Sequence, residues 1–204
     1  MKSNFKQFSV TLALLAACSG YAHAADYFSN NQPVDTVVNA GRVQPIGDVE
    51  VVEFFWYGCP HCAKFEPAIQ AWSERLPARV KFVRIPASWS EGMQLQQQLY
   101  YTLEALNRLD LHAKVFNDIH QKRQPMGTAA HISRWAVAQK INKNQWDSTF
   151  KGSAVAQRVA HAQAAFKRFE LNWVPAVVVN GKRVVAFTPD ILQHTEDAVA
   201  SAMH

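Results

Sequence analysis

The chain has 204 residues, 49% of them apolar and 18% charged, with three cysteines and a formal net charge of +5. That apolar content rules out a disordered polypeptide, and the length allows a full hydrophobic core without covalent staples. Its 21 Lys and Arg residues are scattered, with no run of five or more, so the basic balance describes a solvated surface and no nucleic-acid footprint.

The first segment announces a compartment. Met1 to Ala24 carries Lys2 and Lys6, an apolar run from Phe8 to Ala17, and then Ala22-His23-Ala24, the pattern of a secretory signal cleaved after Ala24. An alternative is Leu15-Ala16-Ala17-Cys18, which has the form of a bacterial lipobox with Cys18 as the lipidated first residue. Both readings send the protein out of the cytosol, where disulfides form. The apolar run is too short for a membrane span. Cleavage at Ala24 removes Lys2, Lys6 and Cys18, leaving about 180 residues, a charge of about +3 and two cysteines, Cys59 and Cys62.

Val37-Val38 suggests a short edge strand between Pro33 and Val43, leading to turns at Gly41 and Gly47. Val49 to Tyr57 is a β-branched and aromatic run that reads as a buried strand. A helix follows from Pro60 to about Leu76, with Pro67 inside it expected to kink it or restart its hydrogen bonding. Arg79 to Ile85 alternates polar and apolar residues as a second strand, which a helical crossover makes parallel to the first. From about Glu91 to Leu171 the period is helical. One apolar stripe holds Leu95, Leu99, Leu103 and Leu106, and another Val115, Phe116 and Ile119. Ile132 and Trp135 follow a break at Pro125-Met126-Gly127 with Thr128 as cap, and the longest helix starts near Ser153, with Val155, Val159, Ala162, Phe166 and Phe169 on one face. These side chains read as core, and no catalytic constellation is expected among them.

Strand character returns in Val174 to Val179. Asn180-Gly181 then separates it from Lys182 to Val185, the hairpin signature. Thr188-Pro189-Asp190 should open a last helix that turns Ile191, Leu192 and Val199 inward. The order strand, strand, helix, strand, helical block, strand, strand, helix is an α/β arrangement: a thioredoxin-like fold with an inserted all-helical domain. The expected division is a signal peptide over 1–24, a discontinuous thioredoxin-like domain over 25–88 and 172–204, and the helical insertion over 89–171. Pro175 opens a strand that should be central, where proline is disfavoured; a cis Val174-Pro175 peptide at the strand's entrance resolves the conflict.

Chemistry concentrates at Cys59-Pro60-His61-Cys62, where the first strand hands over to a helix. Pro60 suits the first helical turn because its missing N–H has no partner to lose. Free backbone N–H groups and the positive end of the helix dipole then face the Cys59 sulfur and favour its thiolate, and His61 adds a donor or a positive charge. Cysteines at i and i+3 are close enough to close a disulfide. A structural zinc site needs two more ligands, and the chain has no second cysteine pair and no His-x3-5-His cluster, so no metal is expected. The histidines at 112, 120, 131, 161, 194 and 204 are dispersed. Glu53 lies on a buried strand, where desolvation raises its pKa unless it is paired, and Arg84 on the neighbouring strand is the candidate partner. Glu66, one turn beyond Cys62, is expected to be an exposed or modulating charge.

Glu53-Phe54-Phe55 with Cys59-Pro60-His61-Cys62 and Phe65-Glu66, the helical insertion, and Val174-Pro175-Ala176 followed by Val179-Asn180-Gly181-Lys182 resemble the bacterial DsbA family. These are periplasmic thiol:disulfide oxidoreductases with a thioredoxin fold. The resemblance implies that Cys59 is the exposed nucleophile, Cys62 the buried resolving thiol, and Val174-Pro175 a cis-proline loop facing them where substrate binds. It also places Glu53 beneath the active site, where a carboxylate can help move the resolving proton; a purely structural Glu53–Arg84 pair is the alternative. Trp173 departs from the family, whose members often carry a small residue such as glycine there. The implied function is donation of the Cys59-Cys62 disulfide to exported polypeptides folding in the periplasm. The protein would act as a monomer, use no cofactor beyond that disulfide, and be reoxidised by a DsbB-type membrane partner. Two other functions fit a Cys pair: a disulfide isomerase or reductase, and a chaperone holding a soft metal ion such as copper(I) between two thiolates.

Overall fold

The computed structural model describes residues 49–203. The leader, Cys18 and the edge strand expected between Pro33 and Val43 lie outside the described residues. Four strands form one sheet: β1 (Val49–Phe55), β2 (Val80–Pro86), β3 (Ala176–Val179) and β4 (Arg183–Ala186), in the order β2-β1-β3-β4. β1 and β2 are parallel, with Glu53 opposite Arg84, and β1 pairs antiparallel with β3. Every residue of β1 is buried, as an apolar run without alternation requires.

The crossover from β1 to β2 is α1 (Pro60–Ser73), which runs through Pro67 as one helix and stops before the expected end. Between β2 and β3 lie α2 (Glu91–Ala105), a 3-10 turn at Leu109–Leu111, α3 (His112–His120), α4 (Ala129–Ala138), α5 (Lys143–Phe150) and α6 (Ser153–Arg168). Ser90 and Thr128 cap α2 and α4 with their hydroxyl oxygens, accepting from Met93 N–H and His131 N–H. α5, with Trp146 and Phe150 buried, has no counterpart among the stripes read from sequence. The β3–β4 hairpin turns at Asn180 and Gly181, both with positive φ (50° and 63°), as a two-residue primed turn demands.

The last helix, α7 (Ile191–Ala202), begins later than expected. Asp190 is its N-cap residue but makes no side-chain capping bond, and Pro189 lies outside the helix instead of in its first turn. Alternation along the central strands divides the core. Val49, Val51, Val177 and Val179 pack with Phe65, Ile69, Trp72, Ile191 and Val199 of α1 and α7. Val52, Phe54, Ala176 and Val178 face the helices inserted between β2 and β3. α1 and α3 therefore meet over the C-terminal end of β1.

Candidate active site

Tyr57 and Gly58 carry the chain from β1 to α1, and the backbone N–H of Cys59 closes the turn on Trp56 C=O at 2.9 Å. Cys59 is the N-cap residue of α1, in extended conformation with Pro60 at the first helical position, and its Sγ accepts the Cys62 backbone N–H at 3.4 Å. Sulfur thus takes the place usually filled by a serine or aspartate oxygen at a helix start. Both cysteines are present as free thiols. Cys59 is 6% exposed and Cys62 1%, so the expected exposed nucleophile is only the less buried of two buried thiols, with the Val174 carbonyl against its sulfur.

The electrostatics separate the two sulfurs. The Cys62 thiol donating to Cys59, then the backbone N–H groups of Cys62 and His61 and the charge on His61, pull the Cys59 pKa from 9.0 down to about 6 against the cost of burial. Burial, followed by the hydrogen bond and the negative charge of Cys59, pushes Cys62 far up, and the Glu53 carboxylate adds to the rise. One thiolate is stabilised at the expense of the other.

The Val174-Pro175 peptide is cis, as expected, and Pro175 precedes β3 instead of interrupting it. The Val174 carbonyl accepts from the Cys59 thiol at 3.5 Å, which brings this loop to the site from 115 residues away. Trp173 is 40% exposed and Phe187 36%; the Phe187 ring lies 5.3 Å from that of His61. Beside them opens a cavity of about 710 Å³, lined by His61, Phe65, Phe187, Ile191 and Leu192 among others.

The Glu53 carboxylate that acts on Cys62 belongs to a charge network. Arg84 Nε donates to Glu53 Oε2 at 3.1 Å, and its Nη2 donates to Glu66 Oε1 at 3.2 Å and to Gln70 Oε1 at 2.9 Å. Burial nevertheless raises Glu53 from 4.5 to about 7, outweighing the Arg84 charge. Glu66 corrects the sequence reading. At 4% exposure it is a buried carboxylate held by Arg84 and by His112 Nε2 at 3.3 Å, because it sits on the face of α1 turned toward β2 and α3. The dispersed histidines are corrected in part as well. His112 and His120, both on α3, reach this site: His112 Nδ1 lies 2.8 Å from the Tyr57 hydroxyl and His120 Nε2 2.8 Å from the Tyr57 carbonyl. Their i, i+8 spacing on a helix beside Phe116 was the available signal. No group of three or more His, Cys, Asp or Glu arranged to hold a metal ion occurs among the described residues.

This geometry suits thiol–disulfide exchange: one stabilised thiolate, one thiol within bonding reach, and a nearby carbonyl edge. Comparison with known proteins agrees. A family model described as Thioredoxin matches residues 44–198. The thiol:disulfide interchange protein DsbA of Pseudomonas aeruginosa is 36% identical over 177 residues, covering 85% of this chain and 83% of that protein. DsbA of Bordetella pertussis is 39% identical over 136 residues, which span 67% of this chain and 65% of the relative. The crystal structure of Pseudomonas aeruginosa DsbA superimposes with a TM-score of 0.71 at 33% identity, covering 78% of this chain and 86% of the other. The chain has a thioredoxin-like fold with helices inserted in it and belongs to the DsbA family of thiol:disulfide interchange proteins.

Proposed function

We propose that this protein is a dithiol oxidase that donates a Cys59-Cys62 disulfide to exported polypeptides as they fold in the periplasm. The observation that carries this reading is the position of Cys59 Sγ as the cap of α1, accepting the Cys62 N–H. In the oxidised form a substrate thiolate attacks Cys59 Sγ. The Cys59–Cys62 bond breaks, Cys62 leaves as a thiolate and takes up a proton, and a substrate–Cys59 mixed disulfide remains. A second substrate thiolate attacks the substrate sulfur of that bond and expels Cys59 as its stabilised thiolate. The substrate loses two electrons to its new disulfide, and the enzyme gains them as two reduced cysteines.

Each neighbour has a part in this scheme. Pro60 starts the helix whose N–H groups face the sulfur, and His61 adds its charge. Glu53, with a pKa near 7, supplies or removes the proton on Cys62, and Glu66 fixes Arg84, which holds Glu53 in place. Val174 and Pro175 form the docking edge. In the disulfide Cys59 carries no hydrogen to donate to the Val174 carbonyl, which is then free to accept a substrate backbone N–H in a short β-type pairing. The redox group is the protein's own disulfide, with no further cofactor. Export follows from the leader ending at Ala24, or from lipidation at Cys18. The chain acts as a monomer, a DsbB-type membrane protein reoxidises it, and residues 89–171 form the inserted helical domain of a thioredoxin-like unit comprising 25–88 and 172–204.

The test is stoichiometric oxidation of a reduced dithiol protein by the oxidised enzyme, followed with C59S and C62S. C59S should lose all oxidation, and C62S, mixed with the disulfide form of the same substrate protein, should retain a reactive thiol that attacks that disulfide and accumulates mixed disulfides on a non-reducing gel. Adducts formed by C59S and not by C62S would reverse the two roles.

A further inference from the structure

Tyr57 stands two residues before Cys59, and α3 holds it at two points that the exchange reaction itself does not require. Its hydroxyl meets His112 Nδ1 and its backbone carbonyl meets His120 Nε2, each at 2.8 Å. The two histidines are the first and last residues of α3, so one helix grips one residue by side chain and by main chain. A carbonyl only accepts, so His120 Nε2 carries the hydrogen. Glu66, ion-paired to Arg84, accepts from His112 Nε2; His112 Nδ1 therefore accepts from the Tyr57 hydroxyl. Every member of the line Tyr57–His112–Glu66–Arg84–Glu53 is then satisfied with His112 neutral, the form that its burial favours.

The grip leaves Tyr57 little freedom. Its ring is fully buried, with the Phe55 and Phe116 rings at 5.1 and 5.0 Å. Between Tyr57 and the helix there remain only Gly58 and the Cys59 sulfur. That sulfur accepts the Cys62 N–H at 3.4 Å, so the position of the Tyr57-Gly58 peptide bears directly on the contact that stabilises the thiolate.

We propose that His112 and His120 are positioning residues for the exchange reaction: by clamping Tyr57, α3 fixes where the Cys59 sulfur sits over the start of α1, and so sets how far its thiolate is stabilised. This deepens the proposed function and rests on Cys59 being the reacting thiol. His120 is the sharper probe, because it holds the loop through the main chain and leaves the Glu53–Arg84–Glu66 network untouched.

The experiment is a thiolate titration of the reduced protein by ultraviolet absorbance, for wild type, His120→Leu and His120→Gln. Leucine cannot donate to the Tyr57 carbonyl, whereas the glutamine amide can. His120→Leu should raise the Cys59 midpoint by about half a pKa unit, about threefold in the thiolate-to-thiol ratio, and His120→Gln should restore most of it. A midpoint unmoved by His120→Leu, or moved equally by His120→Gln, overturns the clamp, even if thermal stability falls. Should His120→Leu not fold, wild type decides. A perturbation that runs from His120 to Cys59 must also run back, so the His120 ring nitrogen and Tyr57 carbonyl NMR signals should step at the Cys59 midpoint. No step overturns the clamp. A wild-type midpoint at the ordinary value near 9.0 refutes the thiol assignment itself; a depressed wild-type midpoint with an unresponsive His120→Leu refutes the clamp alone.

Discussion

Two cysteines three residues apart acquire opposite properties because only one of them caps a helix. Cys59 receives N–H groups from Cys62 and His61, whereas Cys62 is buried behind it with the Glu53 charge nearby. The difference makes a prediction about stability. In the folded reduced protein the Cys59 pKa is about 6 against an ordinary 9.0, so its ionisation stabilises the native state. That contribution is complete above pH 9 and is lost as pH falls through 6. Glu53 has the opposite sign: its pKa is raised to about 7, so its contribution is full below 4.5 and lost as pH rises through 7. Glu53 is present in both redox forms, whereas the Cys59 thiolate exists only in the reduced one. The stability of the reduced form relative to the oxidised form should therefore grow between pH 6 and pH 9. Calorimetry of both forms across that range checks this, and a gap that shrinks with rising pH would contradict it.

The junction from β1 to α1 concentrates the geometric demands. Gly58 is required there by space, since a Cβ would overlap the Trp56 ring, 2.6 Å from Cε2 and 2.8 Å from Cη2. Gly58→Ala should cost about 1–3 kcal/mol, the range for overpacking a filled site, and should slow alkylation of Cys59 as the loop shifts. Denaturant unfolding and iodoacetamide kinetics measure the two effects; an unchanged midpoint would show that the indole moves aside freely. This junction was also the most legible part of the chain. A β-branched run, a glycine, a cysteine and a proline are local signals that need no partner from elsewhere, and the Asn180-Gly181 turn is equally local. The start of α7 is harder to read, because Thr188-Pro189-Asp190 has the composition of a cap, yet Asp190 makes no capping bond and the helix begins at Ile191. α5 leaves little periodic signal, because its sequence, Lys-Asn-Gln-Trp-Asp-Ser-Thr-Phe, presents just two apolar residues to a face.

What sequence could not show is whatever the folded chain assembles from distant segments. Glu66 looks like a surface charge on α1 until α3 and β2 close over it, bringing His112 from 46 residues away and Arg84 from 18. His120 touches Tyr57 across 63 residues and Val174 meets Cys59 across 115. The spacing of the two histidines on α3 is a local signal, but their partner is not, and for His120 a hydrogen bond to a backbone carbonyl places no demand on the identity of the residue that accepts it. The proline loop was legible for a different reason, since proline at the head of a central strand is anomalous in itself. The inserted helices thus do more than fill out the core, because α3 carries two side chains that reach Tyr57, in the turn that leads to Cys59. These contacts serve one claim: that the fold stabilises the reduced pair through the Cys59 thiolate and thereby makes the disulfide a ready donor. The redox equilibrium of the purified protein with reduced and oxidised glutathione tests that claim most directly. The structure predicts that glutathione reduces the Cys59–Cys62 disulfide readily, and more completely as pH rises through 6 toward 9. A disulfide that stays intact in excess reduced glutathione would contradict it.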